Sequence, residues 1–149
     1  MKYDHPEFHW SNEFPSDVPE ENAITHMGFF FAWALQRGLV GEFHRAEDDS
    51  AEALAGVEAG QFSPRQYVIE FCDSQFTNED FSDTGNAFVS SYYVQQYFKD
   101  YSNTFEGDYE TIYHVEDSSE NVNKILPVLD RRFNEWSEKR DRKPWWKLW

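Results

Sequence analysis

Apolar side chains between residues 22 and 37 recur with the period of an α-helix. The members of the repeat lie at i, i+3, i+4, i+7 and i+8: Met27, Phe30, Phe31, Ala34 and Leu35. Phe29 and Trp33 occupy the opposite side, so we predict an all-round apolar helix at the centre of the fold. Gly38 stands where a left-handed residue commonly ends a helix. Gly28 costs about 1 kcal/mol of helix propensity relative to alanine, which favours a close backbone approach by a neighbour at that position.

Four further segments carry helical patterns. A weaker helix covers residues 50–59, and the next begins at Ser63-Pro64, a capping residue followed by proline at the first helical position. A longer helix follows residues 83–86 and runs to about 103, and the last helix begins at the capping sequence 117–120. The apolar stripe of the longer helix consists of Val94, Tyr97, Phe98, Tyr101 and Phe105, and that of the last helix of Val122, Ile125, Leu126, Leu129, Phe133 and Trp136.

The remaining segments are short and irregular. Three prolines interrupt residues 1–21 while aromatic residues recur there, which predicts an irregular aromatic arm lying on the core. Residues 111–115 have the composition of a short strand. We therefore predict a mainly α fold: a single compact domain over residues 1–140 with four to five helices and at most one short strand pair. Residues 141–149 form a basic, aromatic C-terminal tail.

Charge is distributed unevenly along the chain. The formal net charge is −15, from 13 basic and 28 acidic residues. From Lys124 onward eight basic and four acidic residues give +4, so residues 1–123 carry −19. A surface this negative repels phosphate groups, so we expect no nucleic-acid binding. It attracts a basic protein and speeds the encounter with it, although the same charge also serves solubility alone.

Targeting signals are lacking in the sequence. The first six residues do not resemble the apolar core of a secretory signal, and the longest apolar run, residues 27–35, is shorter than the roughly 20 residues of a membrane span. Cys72 is the single cysteine, which excludes an intrachain disulfide. We expect a cytoplasmic protein without stable membrane insertion.

The sequence contains no recognisable catalytic or metal-binding motif. His5 and His9 are four residues apart, but Pro6 argues against a helix there, and His26, His44 and His114 are scattered. Cys72 falls on the apolar side of its helix, where burial makes it a core residue. No phosphate-binding loop, nucleophile elbow or calcium loop is present. We therefore predict no metal, no cofactor, no catalytic residue and no enzymatic activity.

Acidic residues in predicted loops are the candidates for contact with a partner. Turns project side chains outward, and two loops bracket the long helix. The candidates are Glu79, Asp80, Asp83, Asp108, Glu110, Glu116 and Asp117. A possible secondary contact is the tail with Trp145, Trp146 and Trp149, which could instead fold back on the core or act as an interfacial anchor.

The chain resembles a family of small, acidic, functionally uncharacterised bacterial proteins. The resemblance spans most of the chain and rests on residues 2–4, Trp10, 14–15, 25–28, 31–33, 38–40, 72–73, 85–88, 92–93, 113–117, 130–133 and Trp136. By analogy with other small acidic proteins, it implies an immunity protein that neutralises a cognate bacterial toxin by occluding its basic active site. The partner would be a basic toxin domain.

Two other function classes remain open. One is a small enzyme or ligand-binding domain with a pocket lined by Tyr, Trp and His26, and the other is an adaptor that uses the Trp-rich tail. The sequence leaves the oligomeric state open.

Overall fold

The fold consists of helices around a central helix, with one small sheet. The computed structural model describes residues 2–10 and 14–141. The α-helices are α1 Thr25–Gln36, α2 Asp48–Glu58, α3 Pro64–Phe71, α4 Asp83–Phe88, α5 Phe98–Phe105 and α6 Ser119–Asp141. A π-helical segment, Val89–Tyr97, joins α4 to α5 without a break. Over the described residues the molecule therefore has five helices, which confirms the predicted mainly α domain.

Helix α1 is the centre of the core, as its sequence predicts. Every residue from Thr25 to Leu35 is buried, and α1 packs against α2, α3 and α6. The large side chains Phe29, Phe31 and Trp33 are each 0–1% exposed although they point to different sides of the helix. A helix that is apolar all round has no face for solvent, and its neighbours cover it on every side.

Gly28 lets α1 and α3 approach at backbone distance. A Cβ atom at this position would lie 2.5 Å from the backbone nitrogen of Arg65 and 2.7 Å from its Cα. A Cβ atom does not approach non-bonded backbone atoms this closely, so only glycine fits at position 28. The prediction of a close backbone approach is confirmed.

A two-stranded antiparallel sheet ties the N-terminus to the middle of the chain. Strand β1, Lys2–Asp4, pairs with β2, Phe76–Thr77, and a separate bridge joins Val40 to Phe81. The arm is therefore less irregular than expected, because it begins as a strand and continues into a 3₁₀ turn at Pro6–Phe8. The strand predicted at residues 111–115 is wrong: Ile112–His114 is a 3₁₀ turn, whose start is fixed by the Thr111 hydroxyl accepting the backbone N–H of Tyr113.

The π-helical segment changes which side chains of the long helix face the core. One row of buried residues recurs at every fourth position, Val89, Tyr93, Tyr97, Tyr101 and Phe105, and a second row beside it contains Phe88, Tyr92 and Asp100. A π-helix bonds i to i+5 instead of i to i+4 and so contains more residues per turn than an α-helix. The predicted stripe is therefore wrong at Val94 and Phe98, which are 47% and 37% exposed. An α-helical period could not anticipate this shift in phase.

Helix α6 covers the side of α1 that carries Trp33. The side chain of Asp130 accepts a 2.9 Å hydrogen bond from Nε1 of Trp33, and the Phe133 ring packs edge-on against the same indole. Ile125 and Leu129 are fully buried beside them. The Ser118 hydroxyl accepts the backbone N–H of Asn121 and caps the start of α6, within the predicted capping sequence.

Cys72 is 6% exposed, in agreement with its predicted place in the core.

Trp145, Trp146 and Trp149 lie outside the described residues. Among residues 2–10 and 14–141, no helix has both the length and the apolar character needed to cross a bilayer.

Candidate functional site

Arg65 and His114 organise an acidic surface where the arm, the start of α3 and the segment before α6 meet. His114 Nε2 lies 3.0 Å from Oδ2 of Asp17 and 3.7 Å from Oε2 of Glu110. The guanidinium of Arg65 lies 3.7 Å from carboxylate oxygens of both Glu21 and Asp117. Acids that are far apart in the sequence thereby share one surface. We call it the acidic face, and it comprises Asp17, Glu21, Glu110 and Asp117 together with Glu20 and Glu116, the exposed chain neighbours of two of them.

Asn22 donates one hydrogen bond and accepts another, and together these bonds hold the segments of the acidic face in place. Its side-chain amide donates to the backbone oxygen of Tyr113 at 2.7 Å, and its Oδ1 accepts a 3.0 Å bond from Arg65. The Thr111 oxygen lies 2.7 Å from Nδ1 of His114 and orients that ring. The backbone beneath the face is thus fixed, while the side chains of Asp17 and Glu110 are 65% and 79% exposed.

Exposed aromatic rings lie on the arm and on α5, and one of them, Trp10, borders the acidic face. Trp10 is 42% exposed, and its indole N–H donates to the backbone oxygen of Glu20 at 3.2 Å, which places the ring directly beside the acids. Phe8, on the same arm, is 64% exposed. Phe98, 37% exposed, stacks on His9 with 5.1 Å between ring centroids. We call Phe8, Trp10 and Phe98 the aromatic edge.

The structure divides the predicted contact acids into three groups. Glu110, Glu116 and Asp117 belong to the acidic face, although Asp117 is largely occupied by Arg65 and by a short hydrogen bond from the Ser63 hydroxyl. Glu79 and Asp83 are exposed beside β2 and at the start of α4, and Asp108 is exposed 3.8 Å from Lys124. None of the ion pairs that build the acidic face includes these three residues.

Asp80 is the exception, because it is 4% exposed. Its Oδ2 accepts the backbone N–H of Thr77 at 2.8 Å, completing a capping box, and its Oδ1 lies 2.9 Å from Nε2 of His44. A side chain held this way is not available to a partner. Asp80 leaves the set of candidate contacts and is assigned a structural role.

Beneath the aromatic edge lies a buried cluster that sequence reasoning missed. The Asp4 carboxylate meets Nε2 of His26 at 2.9 Å, Nε2 of His9 at 3.1 Å and the hydroxyl of Tyr93 at 2.6 Å. The two histidines approach different carboxylate oxygens, Oδ2 for His26 and Oδ1 for His9. We call Asp4, His9 and His26 the Asp4 cluster.

The protonation of the Asp4 cluster follows from its burial and its hydrogen bonds. Burial alone raises the pKa of Asp4, but the hydrogen bonds from His26, His9 and Tyr93 outweigh it and hold that pKa well below its ordinary value. Burial lowers the pKa of His26, against the opposing effect of Asp4. At neutral pH the cluster therefore holds an ionised carboxylate and, in His26, a neutral imidazole.

A second aspartate–histidine pair lies on the other side of α1. His44 bonds to Asp80 through Nε2 and to the Tyr67 hydroxyl through Nδ1, at 2.9 and 2.8 Å, and Cys72 Sγ lies 3.9 Å from Nε2. Burial and the nearby Asp80 charge raise the pKa of the Cys72 thiol. The protonated thiol is a poor nucleophile, so we assign this group a role in the core.

The histidines therefore are not scattered in space as they are in sequence. His9 and His26 share Asp4, His44 meets Asp80, and His114 meets Asp17. The one local signal was His26, a polar residue within the most apolar helix of the chain. Its partner Asp4 is 22 residues away on a strand that the sequence did not predict.

Two open cavities lie beside α2. One, of about 390 Å³, is lined by the α2–α3 loop and the start of α6, with Ser63 and Asp117 among its walls. The other, of about 660 Å³, has Asp49 and Glu52 beside Phe62 and Phe71. His26, expected to line a pocket in the ligand-binding alternative, belongs to neither and lies in the Asp4 cluster.

The chain was compared with protein families, curated proteins and solved structures. A family model described as Domain of unknown function (DUF7832) matches residues 2–115. The chain belongs to this family. The match to the DUF7832 domain includes the arm, α1–α5 and the Asp4 cluster, and it ends before α6. No curated protein and no solved structure matches.

Proposed function

We propose that this chain is a protein-binding protein whose acidic face and aromatic edge receive a basic partner. In the specific form of the proposal it is an immunity protein, which neutralises a bacterial toxin by covering the toxin's basic active site. The observation that carries the proposal is the acidic face itself, where four carboxylates, those of Asp17, Glu21, Glu110 and Asp117, are paired with just two basic side chains, Arg65 and His114.

Electrostatic attraction supplies the first part of the recognition. The face keeps excess negative charge after its internal pairs are counted, and the chain as a whole carries −15. Complementary potentials of this kind raise association rates and disfavour partners of like charge. A toxin that acts on nucleic acid or a nucleotide has a basic active site, because it must bind phosphates, and it fits this chemistry.

The aromatic edge supplies the second part. Tryptophan and tyrosine contribute disproportionately to binding energy when a partner excludes water from them. Trp10 is already oriented by its bond to the Glu20 backbone, so little side-chain freedom remains to be lost on binding. Charges would then govern the encounter, and the aromatic rings would govern the lifetime of the complex.

Inhibition by such a complex needs no chemistry from this chain. A partner's active site is blocked when it is covered, and the carboxylates stand in for the phosphates that it normally binds. The mechanism is therefore steric and electrostatic.

The test is titration calorimetry and a co-expression toxicity assay with the product of the neighbouring reading frame. A variant of the face, Asp17→Lys with Glu21→Lys and Glu110→Lys, should weaken binding by about 2 kcal/mol or more and abolish protection. A matched control with the same change in net charge, Glu52→Lys with Glu58→Lys and Glu138→Lys, alters exposed acids on α2 and α6. Equal losses in the two variants would mean that only net charge matters, and full binding by the face variant would exclude the acidic face.

A further inference from the structure

The Asp4 cluster brings together two imidazoles and one carboxylate, a set that binds transition metals. We propose that Asp4, His9 and His26 form a zinc-binding site. The inference does not depend on the proposed protein-binding function.

The distances in the cluster match those between the ligands of one zinc ion. Zinc lies about 2.0–2.1 Å from histidine nitrogen and about 2.0–2.2 Å from carboxylate oxygen, so two ligands of a tetrahedral ion are roughly 3.3 Å apart. In the cluster, the nitrogen–oxygen distances are 2.9 Å for His26 and 3.1 Å for His9. The ligand atoms all lie within 4.8 Å of one another. The two imidazole nitrogens would approach to roughly 3.3 Å from a separation of at most 4.8 Å when they bind one ion.

The surroundings orient the ligands from behind. Ligating histidines usually donate the N–H of their second nitrogen to a neighbouring acceptor. For His9 this acceptor is the Tyr113 hydroxyl, 3.3 Å from Nδ1. In the zinc-bound state Nε2 of each ring is unprotonated and Nδ1 carries the proton, and a neutral ring such as His26 reaches this state by a shift of its proton from Nε2 to Nδ1. Tyr93 bonds to Asp4 Oδ2, so Oδ1, the oxygen that His9 approaches, is the one that can coordinate.

The backbone holds the three ligands on separate elements. Asp4 ends β1, whose pairing with Phe76 fixes its position, and His26 lies in the first turn of α1. The Tyr97 hydroxyl donates to the backbone oxygen of His26 at 2.6 Å and secures that turn. His9 follows the 3₁₀ turn of the arm. Zinc would thus join the arm to the core at a preformed site.

The three ligands differ in their exposure to solvent. The side chains of His26 and Asp4 are 3% and 8% exposed, while that of His9 is 11% exposed and lies under Phe98, a residue of the aromatic edge. Three protein ligands leave a fourth position for water or an external ligand, as in the open class of zinc sites. His9, on the arm, is the ligand nearest to solvent.

The other two clusters are poorer candidates. His44 offers a single imidazole, and its neighbour Cys72 is a thiol whose raised pKa opposes the deprotonation that zinc requires. Around His114, both carboxylates belong to side chains that are more than half exposed, so their positions are not fixed by packing. Only the Asp4 cluster combines two imidazoles with a buried carboxylate.

The experiment uses the full chain without a polyhistidine tag, stripped with a chelator and dialysed. Zinc chloride is titrated calorimetrically, and cobalt chloride is titrated in parallel because tetrahedral Co²⁺ absorbs visible light. We expect one ion per chain and a cobalt spectrum typical of tetrahedral coordination. Thermal unfolding should shift upward with zinc, since the ion binds the folded state.

Substitutions then locate the ion. His9→Gln should lower the zinc affinity by more than about 100-fold and abolish the cobalt absorption, and Tyr113→Phe should lower the affinity by about tenfold, as the loss of an outer-shell partner does. The matched control is His114→Gln, which removes an imidazole from the acidic face and should leave affinity unchanged. Far-ultraviolet circular dichroism verifies that His9→Gln is folded.

Several outcomes would overturn the inference. Less than stoichiometric zinc binding by the wild-type chain would do so. So would a loss of binding in His114→Gln with retention in His9→Gln, which would move the ion to the acidic face. Protein binding by the acidic face is measured separately with its charge-reversal variant, so failure of the two proposals can be told apart.

Discussion

The backbone of Arg65 lies so close to Gly28 that a methyl group on the glycine would overlap its amide nitrogen at 2.5 Å. Gly28→Ala should therefore destabilise the fold by about 1–3 kcal/mol, the usual cost of overpacking, despite a gain of about 1 kcal/mol in helix propensity. Chemical denaturation monitored by circular dichroism measures the difference. Gly56→Ala serves for comparison, because the added methyl group there lies closest to Cβ of Phe62, at 2.9 Å, and no nearer than 3.8 Å to backbone. An equal or smaller loss for Gly28→Ala would contradict the requirement for close helix packing.

Asp100 and Arg132 form the most complete ion pair between α5 and α6. Nε and a terminal nitrogen of Arg132 bond to the two carboxylate oxygens at 2.8 and 3.0 Å, and Tyr92 and Gln96 also donate to Asp100. Burial raises the pKa of Asp100, but these hydrogen bonds outweigh it and lower the pKa below its ordinary value. The carboxylate thus stabilises the folded state at every pH above its unfolded pKa of about 3.9 and loses this effect as the pH falls through the lowered value.

Asp100→Asn should consequently lower the free energy of unfolding by about 2 kcal/mol at pH 7. Because the stabilisation is lost only in acid, the difference between wild type and variant should be constant from pH 7 to about pH 5 and shrink below pH 4. Urea denaturation at several pH values tests this. A difference that grows on acidification would show that the sign of the pKa shift is wrong. Asp141→Asn, at an exposed position near the end of α6, is the matched control and should show little effect.

Cys72 should react slowly with thiol reagents in the folded protein. The side chain is buried and its pKa is raised, so both access and thiolate formation are suppressed. We expect complete labelling within minutes in denaturant and little labelling over the same time under native conditions at pH 7.5. Rapid stoichiometric labelling of the native chain would restore Cys72 as a candidate nucleophile.

Association with a basic partner should depend on salt, and its lifetime on Trp10. Raising the ionic strength from 0.1 to 1 M shortens the Debye length from about 10 to about 3 Å, so the association rate constant should fall steeply. Trp10→Ala should instead raise the dissociation rate constant and weaken binding by about 2 kcal/mol. Surface plasmon resonance separates the two rates. An association rate that is indifferent to salt would exclude electrostatic steering.

Local patterns predicted the helices well because burial and capping act over one or two turns. The stripe from Met27 to Leu35, the glycine at position 28 and the cap at Ser63 are each visible within a short window, and the structure contains all three features. The π-helical segment could not be anticipated, because its phase shift depends on how Tyr93 and Tyr97 pack against distant parts of the core.

The candidate sites were predictable only in part. Net charge and loop position pointed to Glu110 and Asp117, but the acidic face also needs Asp17 and Glu21, which reach it through His114 and Arg65. The sequence likewise offered Asp80 as a surface acid, since nothing local shows that His44 lies 2.9 Å away. Pairs separated by 22 to 97 residues are set by tertiary packing, and one sequence contains no direct signal for them.

Helix α6 has a practical consequence for anyone who isolates the family's domain. The match to the family ends at residue 115. Phe133 and Trp136 from α6 nevertheless cover the Phe88 ring, and Asp130 accepts a hydrogen bond from the indole N–H of Trp33. A polypeptide that ends at residue 115 would leave Trp33 and Phe88 without these contacts and exposed to water, which favours self-association. The packing around α1 therefore includes α6 at least to Trp136, about 20 residues beyond the end of the family match.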